Sequence, residues 1–182
     1  LETAEIAIPS ALTGHFVLST LHTNDSAGVI PRLLDLGVKP FLLTPSINAI
    51  MAQRLVRKLC PQCRVEHKLT ISETEKLKKI LAVISPKAQI NIPSTLPTMY
   101  RAGSGCEACG QVGYKGRVGI YEIFTMNNEL KQISTEAAPA FKILEKAIES
   151  GMITMLQDGV LKAMEGLTSL EEVYKVAGKM DY

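Results

Sequence analysis

His15-Phe-Val-Leu-Ser-Thr-Leu-His22-Thr-Asn-Asp-Ser-Ala-Gly28 turns from an apolar, partly β-branched run into a polar one within fourteen residues. Residues 15–21 are short, apolar and bounded by turn formers, the pattern of a buried strand. Polar groups then gather at and beyond the carboxyl end of that run: Ser19, Thr20, His22, Thr23, Asn24 and Asp25. In open α/β sheets ligands bind at that edge. His15 and His22 stand at the two ends of the expected strand and are candidate ligand-contacting residues. A histidine at a strand end is more often a satisfied structural residue, so on pattern alone both readings stand.

Working outward, residues 2–13 read as a helix stopped at Gly14. Downstream, Thr23, Asn24, Asp25 and Ser26 each offer a helix N-cap, and the helix they start holds Pro31 in its first turn and ends near Gly37. A second helix from Phe41 leads into a strand near residues 53–59. Helix and strand alternate, which predicts an α/β chain. Residues 72–84 predict a helix opened by a Ser72/Glu75 capping box, with Leu77, Ile80, Leu81 and Ile84 on one face. Residues 85–105, with Pro86, Pro93 and Pro97, predict a loop holding one strand. Residues 116–124 predict a further strand. Four helices follow, near 127–136, 139–150, 152–165 and 169–177, the last with a Thr168/Glu171 capping box and the second with Pro139 in its first turn.

All four cysteines fall in two pairs, Cys60-Pro-Gln-Cys63 and Cys106-Glu-Ala-Cys109, with 42 residues between the pairs. Two residues between cysteines let both thiolates of a turn face one ion about 2.3 Å away, and two such knuckles complete the tetrahedron that zinc requires. The interval exceeds the common zinc-ribbon spacing of about 15–20 residues, and the helix at 72–84 accounts for the excess. Four thiolates leave no open position, so the role expected of the metal is structural. Arg57, Lys58, Arg64 and Lys115 lie close in sequence to the knuckles and are expected to offset the charge of the cluster. His67 is a possible substitute ligand, though four cysteines suffice. The alternatives are two separate redox CxxC pairs or unliganded thiols.

Composition bounds the partners. The chain has 182 residues, 20 Lys and Arg against 18 Asp and Glu, and a net charge of +2. That is too near neutral to argue for nucleic acid or an anionic membrane. Five cations lie between Arg54 and Lys68 against the single anion Glu66, but no aromatic residue falls between Phe41 and Tyr100. A zinc-ribbon module binding nucleic acid would interleave aromatics with a stronger basic excess, so no nucleic-acid partner is expected. No run of 18 apolar residues suggests a membrane span. The opening LETAEIAIPS lacks a basic n-region and an initial Met, and reads as a cut inside a longer protein.

Gly113-Tyr-Lys-Gly-Arg-Val-Gly-Ile-Tyr-Glu122 follows the second knuckle. Its glycines permit close backbone approach, and Arg117 offers a planar fork matched to phosphate. Equally, Arg117 could pair with Glu122 beside a turn at the metal.

Residues 1–63, the run CEACGQVGYKGRVGIYEIF at 106–124 and QDGVLKAMEGLTSLEEV at 157–173 together resemble the type II/type IV secretion ATPase superfamily, in order and over essentially the whole chain. The four cysteines make it similar to type II secretion ATPases and type IV pilus extension ATPases, and unlike the retraction motors. The resemblance implies the second half of a RecA-like ATPase domain at 1–59, a tetracysteine zinc subdomain at 60–116, and a strand with a carboxy-terminal helical bundle at 117–182. It implies that His15, His22 and Arg117 approach the nucleotide. It places LETAEIA just after the Walker B element, with Glu2 outside the catalytic position. No G-x-x-x-x-G-K-[ST] run exists in the chain; its only Gly-Lys dipeptide is Gly178-Lys179. The lysine and hydroxyl that cradle phosphate and magnesium are thus missing, and this chain alone is expected not to hydrolyse ATP. The resemblance further implies, for the parent protein, ATP and Mg as cofactors, a homo-hexamer, a cytoplasmic place at the inner membrane, and an inner-membrane platform protein as partner. A thiol oxidoreductase and a non-enzymatic zinc-ribbon binding module are the rival classes.

Overall fold

Two long strands, β1 (Ala49–Leu59) and β4 (Tyr114–Thr125), pair with each other. The computed structural model describes residues 2–178, with the side chain of Glu2 left out, so the expected Gly-Lys dipeptide and the last residues of the tail lie partly outside it. The chain divides into two compact units, residues 1–52 with 122–152 and residues 53–121 with 153–182. Helix and strand are mixed as the sequence predicts for an α/β chain.

The first unit holds α1 (Glu2–Leu12), α2 (Val29–Asp35), α3 (Pro40–Ser46), α5 (Asn128–Thr135) and α6 (Ala140–Glu149). Its core is aliphatic: Ile30, Leu43, Leu130 and Ile143 are fully buried, with Phe124 and Met152 beside them. Asn127 caps α5, its side chain accepting from Leu130 N at 2.8 Å. Pro139 precedes α6 as its N-cap rather than entering the first turn. Pro31 does lie in the first turn of α2, where its missing N–H costs nothing. None of the four expected residues is its N-cap: that position is Gly28, without a side-chain cap, and Asp25 Oδ1 instead accepts from Gly28 N at 2.7 Å in the turn before the helix.

One expectation is corrected in this unit. Residues 15–21 form no strand. Among the described residues the two sheets are β1–β4 and β2–β3 (β2, Val65–His67; β3, Met99–Arg101), and neither takes this run as a neighbour. A strand exists through its ladder, and without one the backbone groups turn to water. The apolar side chains follow: Phe16 is 86% and Leu18 82% exposed.

The second unit packs α4 (Ile71–Ala82), α7 (Met155–Met164) and α8 (Leu170–Ala177) with β2 and β3. The predicted face of α4 is buried as expected: Leu77, Ile80, Leu81 and Ile84 meet Leu156, Val160, Ala163, Leu170 and Val173. β2 and β3 pair antiparallel, Val65 opposite Arg101 and His67 opposite Met99. The four late helices therefore divide, α5 and α6 in the first unit, α7 and α8 in the second.

Two helix caps sit elsewhere than predicted, and only the first is a capping box. α4 is capped by Thr70, whose Oγ1 accepts from Glu73 N while Glu73 Oε2 accepts from Thr70 N at 2.8 Å. Starting there lets Glu73 also meet His67 Nε2 at 3.0 Å, which a cap at Ser72 would forfeit. α8 is capped by Ser169, because the Thr168 hydroxyl instead donates to the Arg57 carbonyl at 2.8 Å. A further box, Thr154 with Gln157, opens α7.

Candidate metal centre and its arginine strand

β1 ends at Leu59, and the chain turns at once through Cys60-Pro-Gln-Cys63. Cys63 N and Arg64 N both donate to the Cys60 carbonyl, at 3.3 and 2.9 Å, so the turn presents two sulfurs to one side. The second knuckle repeats the device: Cys109 N and Gln111 N donate to the Cys106 carbonyl at 3.1 and 2.9 Å. Cys60 N donates to the Gly113 carbonyl at 3.0 Å and ties one knuckle to the other. Gly103 makes the approach possible, since a Cβ there would stand 2.0 Å from the Cys63 carbonyl oxygen.

The four Sγ atoms lie within 4.8 Å of one another. Cys60 to Cys106 is 3.7 Å, Cys63 to Cys109 is 3.8 Å and Cys106 to Cys109 is 3.8 Å. Sulfurs about 2.3 Å from a central zinc span tetrahedral edges of about 3.8 Å. The cluster thus has the size of a four-thiolate zinc site without rearrangement. Backbone N–H groups of Cys106 and Gly113, each 3.2 Å from Cys109 Sγ, hold that thiol down at about 6. Desolvation, then hydrogen bonds shared with the other sulfurs, push Cys63 up to about 12. These residues fit zinc.

Two of the cations near the knuckles have partners of their own. Arg57 binds Glu172 and stacks over Tyr114 at 4.0 Å. Arg64 donates to the Gly166 carbonyl at 2.7 Å and stacks over Tyr100 at 4.2 Å. Both arginines fasten the α7–α8 turn and its neighbours to the metal module. His67 is engaged with Glu73 and takes no place in the sulfur cluster.

Arg117 closes the exposed run of β4 at residues 115–117, eight residues after Cys109. It lies in an open groove of about 550 Å³ lined also by Arg57, Val112, Tyr114 and Gly116. Its guanidinium makes no hydrogen bond or ion pair with a described residue. Glu122 is not its partner: five positions along a strand put the two side chains on opposite faces, and Glu122 is buried, accepting from Ser26 N at 2.5 Å. The edge of β4 beyond Arg117 is held from α7. Asp158 accepts from Tyr121 N at 2.8 Å and pairs with Lys162, which donates to the Gly119 carbonyl at 2.9 Å.

His15 and His22 lie in the first unit, both exposed. His15 Nδ1 is 3.2 Å from Thr13 Oγ1, while His22 has no polar partner among the described residues. The contacts missed in the sequence are the buried bond of Glu122, which was weighed there only as a partner of Arg117, and those of Glu172 and the Asp158/Lys162 pair. Only the last carried a signal, an acid and a base four apart on a predicted helix.

Residues 1–175 match the type II/IV secretion system protein family. The chain is 44% identical over 172 residues to a type IV pilus assembly ATPase PilB of Myxococcus xanthus, covering 94% of this chain and 29% of that protein. It is 45% identical over 176 residues to PilB of Pseudomonas aeruginosa, covering 97% of this chain and 29% of the relative. Against type II secretion system protein E of Aeromonas hydrophila it is 41% identical over 176 residues, 97% of this chain and 32% of the relative. The chain therefore spans about a third of the length of these curated relatives. No helix among its described residues is long and apolar enough to cross a membrane. With the match running over nearly every residue, including both cysteine knuckles and the arginine strand, the chain belongs to the type II/IV secretion system protein family.

Proposed function

We propose that this chain is the carboxy-terminal part of a motor ATPase that drives type II secretion or type IV pilus assembly. In this reading residues 1–59 complete a RecA-like ATPase core, residues 60–116 form a structural zinc subdomain, and residues 117–182 supply the arginine strand and the helical tail. ATP and Mg are held mainly by residues outside this chain, whose sequence has no phosphate-binding loop. The parent assembles as a homo-hexamer on the cytoplasmic side of the inner membrane and acts on a platform protein there.

The observation that carries the reading is Arg117: a guanidinium free of partners among the described residues, on a strand fixed by a metal-sized sulfur cluster eight residues away. An unpaired arginine on a rigid strand suits a phosphate that arrives from elsewhere. His15 and His22 are, in this reading, further residues that approach nucleotide. The zinc supplies charge and cross-linking when bound; Cys60, Cys63, Cys106 and Cys109 hold it and keep β1 and β4 in register. The test is Mg-dependent ATP hydrolysis by the full-length protein and by this 182-residue chain. Hydrolysis is expected in the first and none above background in the second; robust turnover by the short chain, or none by the full protein, would overturn the reading.

A further inference from the structure

The loop after His22 is internally braced. Thr23 Oγ1 donates to the Asp25 carbonyl at 2.9 Å, and Asp25 Oδ1 accepts from Gly28 N at 2.7 Å. Those bonds shape the loop but do not fix its place. What fixes it is Ser26, fully buried, whose N–H donates to Glu122 Oε1 at 2.5 Å across 96 residues of sequence. The Ser26 hydroxyl also reaches Met152 Sδ at 3.7 Å. Glu122 itself is only 4% exposed, in a unit whose core is Ile30, Ile50, Phe124 and Met152. A carboxylate in such surroundings costs several kcal/mol unless its acceptor sites are filled. A glutamine would fill the same space and accept the same bond without that cost, and packing alone would be better served by an aliphatic residue.

We propose that Glu122 is a positioning residue: its carboxylate sets the place of the His22–Gly28 loop within the first unit, so that His22 is presented to nucleotide. Ser26 follows His22 by four residues, and its bond to Glu122 ties that loop to β4 within the first unit. This proposal rests on the nucleotide-facing reading of His22 given above.

The experiment uses the full-length protein with Glu122→Leu, Glu122→Gln, His22→Ala and the double variant Glu122→Leu/His22→Ala. Zinc content, melting temperature, kcat and KM for ATP are measured for each. A misplacement of about 1 Å can cost about 10²-fold in rate, so Glu122→Leu is expected to lower kcat about 10- to 100-fold with zinc retained. Glu122→Gln, which keeps an acceptor for Ser26 N, is expected to recover most of the rate. The double variant is expected to be no slower than His22→Ala, because a displaced loop matters only through the histidine it carries. Losses that multiply would overturn the positioning role while leaving the reading of His22 intact. A His22→Ala protein at full rate would overturn both. Should Glu122→Leu melt too low to assay, Glu122→Gln decides through hydrogen exchange and rate together. A Ser26 amide still protected, with most of the rate kept, supports the proposal; a rate as low as that of His22→Ala with that amide still protected overturns it.

Discussion

Arg57 grips Glu172 with two nitrogens, Nε at 2.8 Å and Nη2 at 2.5 Å, while its backbone N–H donates to the same carboxylate at 3.3 Å. The two side chains differ in setting: Glu172 is 5% exposed and Arg57 44%. The Arg57 hydrogen bond holds the Glu172 carboxyl below its ordinary range, and Glu172 in turn raises the guanidinium. Thr168 adds a bond to the Arg57 carbonyl, and Leu59 N donates to the Leu167 carbonyl at 2.9 Å. The turn before α8 is thereby fastened to the strand that ends in the first cysteine knuckle.

Arg57→Ala removes the partners of a buried carboxylate. Breaking a fully buried pair costs about 3–5 kcal/mol, and the half-open position of Arg57 reduces that. A loss of about 1–3 kcal/mol is expected, read as a lowered urea midpoint. Adding Glu172→Leu to the same protein is expected to restore part of it, since no charge is then stranded. A double variant as unstable as the sum of the singles would show that the pair is not coupled.

The metal site predicts about one zinc per chain by mass spectrometry of the purified protein. Cys60→Ser or Cys106→Ser is expected to lose the metal and to raise hydrogen exchange through residues 60–113, where the two knuckles bond to each other. Chelation of the unmodified protein is expected to do the same. Full zinc content in a variant lacking both cysteine pairs would locate the metal elsewhere.

Glu73 predicts a pH signature for α4. Its carboxyl is held down at about 2, first by the Thr70 N–H and then by His67. A depressed value means that the carboxylate contributes fully above its ordinary range and loses its contribution as pH falls through about 2. Relative to Glu73→Gln, the natural protein is expected to be more stable at pH 7 by about 0.5–2 kcal/mol, the usual worth of a helix cap. That gap should close between about pH 4.5 and about 2. Both proteins shed zinc in acid alike, so the difference isolates the cap. A gap unchanged at pH 2.5 would show that the charge of Glu73 plays no part.

The features legible in the sequence were those with a strong local period or chemistry. Cys60, Cys63, Cys106 and Cys109 announced a shared site, and Leu77, Ile80, Leu81 and Ile84 the buried face of α4; the structure gathers both sets. The caps were less so, because Thr-Ile-Ser-Glu at 70–73 and Ser-Glu-Thr-Glu at 72–75 are overlapping versions of one motif. The choice falls to His67, a residue on another element. Residues 15–21 have strand composition, but a strand is a relation between segments, and no described segment completes it. The buried roles of Glu122 and Glu172 were not legible, since a burial that depends on partners 96 and 115 residues away leaves no local pattern.

Arg117 is the most direct test of the nucleotide site in the full-length protein. Its backbone is held from two sides, by the knuckle eight residues earlier and by Asp158 and Lys162 against Tyr121 N and the Gly119 carbonyl. Its side chain has no partner among the described residues, so removing it should not disturb the fold. A guanidinium keeps its charge at any working pH and meets phosphate oxygens with a planar fork; a lysine keeps the charge and loses the fork. Arginines that stabilise phosphoryl transfer are worth about 10³–10⁵ in rate in favourable cases, and one that only senses nucleotide is worth less. Arg117→Ala is therefore expected to lose most of the ATPase rate and Arg117→Lys much of it, both with unchanged zinc content and melting temperature. Rate loss that tracks melting would make Arg117 a structural residue, and a near-normal rate in Arg117→Ala would remove it from the nucleotide site.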